Sequence, residues 1–118
     1  MNNSQPDIGG SAPIEIEVLY ICDCPNHRPV VALLAEVVKE LGKYARLRET
    51  EIRSVEDCAH PGFRGSPTVL VNDRDVEPDI TASVSCAMSC RTYGGRRLPS
   101  RALIRAALLQ AAAAPRPH

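Results

Sequence analysis

Cys22, Cys24 and His27 stand together in the stretch YICDCPNH at residues 20–27. A cysteine thiolate is both a nucleophile toward disulfides and a ligand for soft metals, and a histidine one helical turn away could carry its proton. Such chemistry needs a scaffold that holds the sulfur at a helix start, where free N–H groups and the helix dipole favour the thiolate. The flanking sequence predicts that scaffold. Residues 14–20 (IEIEVLY) alternate aliphatic residues with two glutamates and then turn fully apolar, as a strand entering a sheet does. From Val30 the apolar positions Val30, Val31, Leu34, Val37, Val38 and Leu41 follow helical spacing, and Gly42 stands where a helix commonly ends.

Two placements of the helix start are compatible with the prolines. With Cys24 as the cap, Pro25 takes the first helical position, but the Pro29 ring then crowds the carbonyl of Pro25. With Asn26 as the cap, Pro29 falls within the first turn. Either way the Cys24 sulfur lies near the helix start. Cys22 and Cys24, one residue apart in an extended segment, would point to the same side.

Residues 45–53 (ARLRETEIR) predict a second strand with one side or one edge in water, and residues 55–60 a short helical turn ended by Pro61 and Gly62. Residues 65–72 (GSPTVLVN) predict a buried strand introduced by proline and closed by a turn over 72–75. A further strand could begin at 75–80, shortened by Pro78, whereas 81–93 has no assignable period. Ser100 is placed to cap a last helix whose apolar face is Leu103, Ile104, Ala107 and Leu108, with alanines continuing to Pro115. The order is that of an α/β fold with a parallel first strand pair joined by a right-handed crossover. Residues 1–13 read as a flexible leader without signal-peptide character, 14–112 as one domain and 113–118 as a flexible tail.

The chain of 118 residues is 44% hydrophobic, enough for one core, and that core must be aliphatic because Phe63, Tyr20, Tyr44 and Tyr93 are the only aromatics. Its 14 basic residues balance 14 acidic ones. That balance gives no electrostatic footprint for nucleic acid or an anionic membrane, and no run is long enough to span a bilayer. A cytoplasmic location is expected, where five cysteines are free, redox-active or metal-binding sooner than a disulfide framework. No phosphate loop, Ser-His-Asp arrangement or paired-carboxylate signature stands out, and no cofactor is expected. The four arginines between 91 and 101 read as a solvated surface.

A cysteine after the first strand and Gly65-Ser66-Pro67-Thr68 leading a buried strand some forty residues later resemble the thioredoxin fold over roughly residues 14–112. A narrower likeness is to small bacterial thioredoxin-like proteins, some labelled alkylmercury lyases, through Cys24 to Asn26, Gly65 to Val69 and Ser89 to Arg91. The resemblance implies a central mixed sheet of about four strands flanked by helices. It also implies a cis Pro67 packed beside a reactive Cys24, and Ser66 at the position whose backbone pairs with a substrate segment. Pro25 and Thr68 complete the implied substrate-binding set. The chain departs from the family's Cys-x-x-Cys pattern at His27, which stands where a resolving cysteine would be.

The resulting expectation is thiol-disulfide exchange or thiol-dependent reduction with Cys24 as nucleophile, acting on a protein or small thiol or disulfide. Cys22 is the expected resolving sulfur, against Cys86 or Cys90, whose bonds would carry less strain. The alternatives are a binding protein that holds a soft metal ion or organomercurial on thiolates, with Cys22, Cys24, Cys86 and Cys90 as candidate ligands, and a non-catalytic interaction module. Cys58 and His60 flank the short turn after the second strand and are expected to stay away from the site. Cys86 and Cys90 read equally as small core residues.

Overall fold

A computed structural model describes residues 13–54, 62–77, 92–93 and 95–113. The expected leader and tail, the short turn at 55–60, Cys58, His60, Pro61, Pro78, Cys86, Cys90 and the Ser89 to Arg91 motif lie outside the described residues.

The described chain is α/β, in the order β1 (Ile14–Ile21), α1 (His27–Leu41), β2 (Ala45–Ile52), β3 (Thr68–Val71), β4 (Arg74–Asp75) and α2 (Arg101–Ala113). The four strands form one mixed sheet in the order β2-β1-β3-β4. β1 runs parallel to β2, and β3 is antiparallel to both β1 and β4. The parallel first pair and the four-strand mixed sheet were legible in the sequence.

Alternation along β1 sorts its side chains onto two different faces. Ile14, Ile16 and Val18 join Val69 and Val71 beneath Val30, Leu34 and Val37 of α1 and Ile104 and Leu108 of α2, in one buried cluster. Both helices therefore cover the same face. On the other face Leu19, Ile52 and Leu70 form a second apolar cluster with Ile21 and Phe63 packed on it. Nearer the start of β1 that face turns polar. Glu17 is buried there and accepts from Thr50 Oγ1 at 2.8 Å and from Arg48 Nε at 3.4 Å. β2 is an edge strand, as its charges imply, and those charges blunt it against pairing with another chain.

The helix boundaries follow local chemistry. Asn26 takes the N-cap position of α1 without a side-chain capping bond, so Pro29 falls in the first turn, and the helix ends at Gly42, whose φ of 63° is left-handed. Ser100 Oγ accepts from the Leu103 N–H at 3.1 Å, which satisfies one of the orphan donors at the start of α2. Arg101 then ties α2 to α1 through Glu36 and Glu40 on the surface.

One boundary differs from the expected turn over 72–75. Asn72 and Asp73 both take positive φ, 49° and 68°, and so make a two-residue hairpin turn. Arg74 and Asp75 are therefore already in β4, opposite Val71 and Leu70. Asx residues tolerate the left-handed region, which lets the chain reverse sooner than a polar four-residue run suggests.

Candidate functional site

The carboxyl ends of the parallel strands β1 and β2, the start of α1 and the start of β3 meet at one end of the sheet. In open α/β sheets this end is the usual place for a ligand crevice. Strand pairing stops at Ile21, which faces Ile52. The chain then makes two turns in succession that share Cys24. The Cys24 N–H donates to Ile21 O at 3.2 Å, closing a turn around Cys22 and Asp23, and Asp23 has the positive φ, 62°, that the third residue of a type II turn requires. The His27 N–H donates to Cys24 O at 3.3 Å, closing a second turn around Pro25 and Asn26. Proline is favoured at the second place of a type I turn, and the φ of −97° and ψ of −3° at Asn26 suit its third.

This geometry corrects the expectation that Cys22 and Cys24 continue an extended segment. The left-handed Asp23 between them removes the alternation that would have aimed both sulfurs to one side. Both thiols are free, Cys22 exposed and Cys24 half-buried. The Cys22 thiol is pushed up from its ordinary range, chiefly by the neighbouring Asp23 carboxylate, then by desolvation, by Glu51 and by its hydrogen bond to Asp23; Arg53 opposes the shift.

The segment before β3 is brought to the same end. The Ser66-Pro67 bond is cis. Gly65, Ser66, Pro67 and Thr68 are all buried. Ser66 Oγ accepts from the Ile21 N–H at 3.0 Å, so the last residue of β1 is held by Ser66 on one side and holds Cys24 on the other. Thr68 Oγ1 accepts from the Arg64 N–H at 3.0 Å and donates to Gly65 O at 2.5 Å, closing the loop on itself. Thr68 thus serves the loop's own backbone. The Pro67 carbonyl accepts from the buried Tyr93 hydroxyl at 2.6 Å. Pro25 is exposed beside Cys24.

His27 lies in the first turn of α1, but its ring is engaged elsewhere. Nε2 meets Glu49 Oε1 at 2.5 Å, and the ring stacks flat on Tyr20 with centroids 3.6 Å apart. The register explains the pairing: Glu49 stands opposite Val18 and projects from the helix-covered face of β2, directly under the start of α1. Among the described residues no hydrogen bond joins the His27 ring to the Cys24 thiol. His27 instead pins the helix start to both parallel strands.

Sequence reading missed Ser66 Oγ as a tie to β1, Tyr93 as a tie to Pro67, and Glu49 as the partner of His27. Each pairs residues at least 22 apart, so no local pattern carries it. Among the described residues no group of three or more His, Cys, Asp or Glu side chains is arranged to hold a metal ion. No helix among them is long and apolar enough to cross a membrane. No protein-family model matches the chain, and no curated protein matches it in sequence.

Proposed function

We propose that the chain is a thioredoxin-like thiol-disulfide oxidoreductase, or a thiol-dependent reductase, with Cys24 as its nucleophile. One observation carries the reading: Cys24 is tethered through Ile21 to Ser66, so the backbone of the half-buried Cys24 and the buried Gly65-Ser66-Pro67 loop are joined by two consecutive hydrogen bonds. The four-strand mixed sheet with a parallel first pair supports the thioredoxin-like assignment. In this mechanism the Cys24 thiolate attacks a disulfide, one sulfur leaves as a thiolate that takes a proton from water, and a mixed disulfide remains on Cys24. A second thiol then attacks the Cys24 sulfur and releases the other half. The Asp23 carboxylate disfavours the Cys22 thiolate, which makes Cys22 the poorer first attacker. A reducing compartment such as the cytoplasm suits two free thiols separated by one residue.

The test is alkylation at mildly acidic pH followed by peptide mapping, together with turnover of a small disulfide. Cys24 is expected to be modified ahead of the other cysteines, and Cys24→Ser to abolish turnover. Faster modification of Cys22 or of a distal cysteine would move the nucleophile elsewhere. A metal or organomercurial retained in stoichiometric amount by the reduced protein, with no disulfide that cycles, would replace exchange by capture.

A further inference from the structure

Arg64 stands two residues before Ser66, in the loop that enters β3. Its N–H is fixed to Thr68 Oγ1, so its backbone is held by the closed loop at the site end of the sheet. Its side chain is unlike the arginines of β2 and α2. Arg46 pairs with Glu15, Arg48 with Glu17, and Arg101 with Glu36 and Glu40. The Arg64 guanidinium has no carboxylate partner among the described residues, and its Nε is buried with no acceptor there. A buried charged donor without an acceptor is costly, and the Nε and Nη hydrogens of a guanidinium match the two oxygens of one carboxylate.

Arg64 is linked to the Cys24 backbone along the chain and its hydrogen bonds. Two residues of chain span at most about 7 Å to Ser66, and Ser66 is bonded to Ile21, which is bonded to Cys24. We propose that Arg64 is the anion-binding residue of the Cys24 site and that the disulfide consumed there carries a carboxylate, which seats on the Arg64 fork. This inference rests on the reading of Cys24 as nucleophile. The carboxylate takes no part in the exchange. The Cys24 thiolate forms a bond to the nearer substrate sulfur, the S–S bond breaks, and the farther half leaves as a thiolate protonated by water.

The experiment follows mixed-disulfide formation on Cys24 by mass spectrometry with dithiodibutyrate, hydroxyethyl disulfide and cystamine at one ionic strength. Each rate is divided by that of free mercaptoethanol with the same disulfide. The dianionic disulfide should be favoured over the neutral one by roughly tenfold, the value of one charge-assisted contact. Arg64→Gln should erase the preference, and Arg64→Lys should keep part of it. An equal rate for all three disulfides, or a preference that survives Arg64→Gln, overturns the proposal. If Arg64→Gln does not fold, competition on the unaltered protein decides: glutarate should slow dithiodibutyrate and not hydroxyethyl disulfide, and absence of that effect also overturns it. Binding of glutarate, followed through the Arg64 Nε–H resonance, separates the two claims. A glutarate-shifted resonance with no reaction at Cys24 sinks the nucleophile and keeps the anion seat, whereas reaction at Cys24 with no shift does the reverse.

Discussion

The two ends of β1 are closed by the same device and put to different uses. At its start, Asn72 Oδ1 accepts from the Glu15 N–H at 2.9 Å while the Asn72 N–H donates to Glu15 O at 2.7 Å. At its finish, Ser66 Oγ accepts from the Ile21 N–H at 3.0 Å. Both ends carry residues with positive φ, Asn72 and Asp73 at one and Asp23 at the other. At the hairpin end the polar side chain is consumed in joining strands. At the other end the fastened turn presents two thiols, which contribute nothing to the sheet itself. Side chains that do no fastening can be held in place when others do it.

The largest expected effect tests whether the two ends share one foundation. Leu34 is 1% exposed and belongs to the cluster that spans β1, β3 and both helices. Leu34→Ala should cost about 2–5 kcal/mol of stability, seen in denaturant unfolding, as the lost transfer energy and the cavity add. Hydrogen exchange at the Glu15 and Ile21 amides should accelerate together. If one amide stays protected while the other opens, the ends belong to separate cooperative units.

Removing the fastenings themselves should separate the ends. Ser66→Ala takes the acceptor from the Ile21 amide and should cost about 1 kcal/mol or somewhat more, because a donor is stranded in a part-buried place. It should also change the alkylation rate of Cys24, since Ile21 O anchors the Cys24 amide. Asn72→Gly keeps the left-handed backbone and removes only the side-chain bond, so about 1 kcal/mol should be lost. Its Cys24 alkylation rate should match that of the unaltered protein. Equal effects of both substitutions on Cys24 would remove the distinction between the ends.

These fastenings also mark where the sequence stops being readable. The apolar runs of β1 and β3, the helical spacing from Val30, Gly42 and Ser100 all report local backbone preference, and each marks an observed element or its end, although β3 is confined to Thr68–Val71 of the expected 65–72. The two ends of β1 are closed by contacts 57 and 45 residues apart, set by the β1–β3 register that no local window contains. Glu17 shows the same limit. Its alternation with Ile16 and Val18 reads as a solvent-facing position, yet Arg48 and Thr50 from β2 bury it. At the site, the cysteines were visible as residue types, but the turn that holds them depends on a left-handed Asp23 that a strand pattern ending in YIC does not announce.

A smaller effect is expected from the His27 clamp. The Glu49 side chain is 44% exposed, and ion pairs of that kind are worth up to about 1 kcal/mol. Glu49→Gln should therefore lower stability by less than that, the stacking on Tyr20 being retained. Because the His27 ring bonds to Glu49, the pH dependence of Cys24 alkylation should be unchanged by this substitution. A displaced profile would mean that His27 acts on the thiol, and the finish of β1 would then be fastened partly by a residue that also tunes Cys24.

The smallest effect lies within the thiol turn, where Asp23 raises the proton affinity of Cys22. Asp23→Asn keeps a residue that tolerates positive φ and removes the charge. The alkylation profile of Cys22 should move to lower pH as its thiol returns toward the ordinary range. Stability carries the same signature. Well below the ordinary thiol range Cys22 is protonated in both folded and unfolded chains, and pH has no effect through this group. As pH rises through that range the unfolded chain loses its proton first, so the folded state binds more protons and stability falls with pH until the folded thiol ionises too. Asp23→Asn should flatten that decline, which pH-dependent thermal unfolding of the two proteins would record. Glu51 also raises the thiol and Arg53 opposes it, so Glu51→Gln should shift Cys22 the same way by less. A Glu51→Gln shift larger than that of Asp23→Asn would make the edge strand, and not the left-handed turn, the group that governs Cys22.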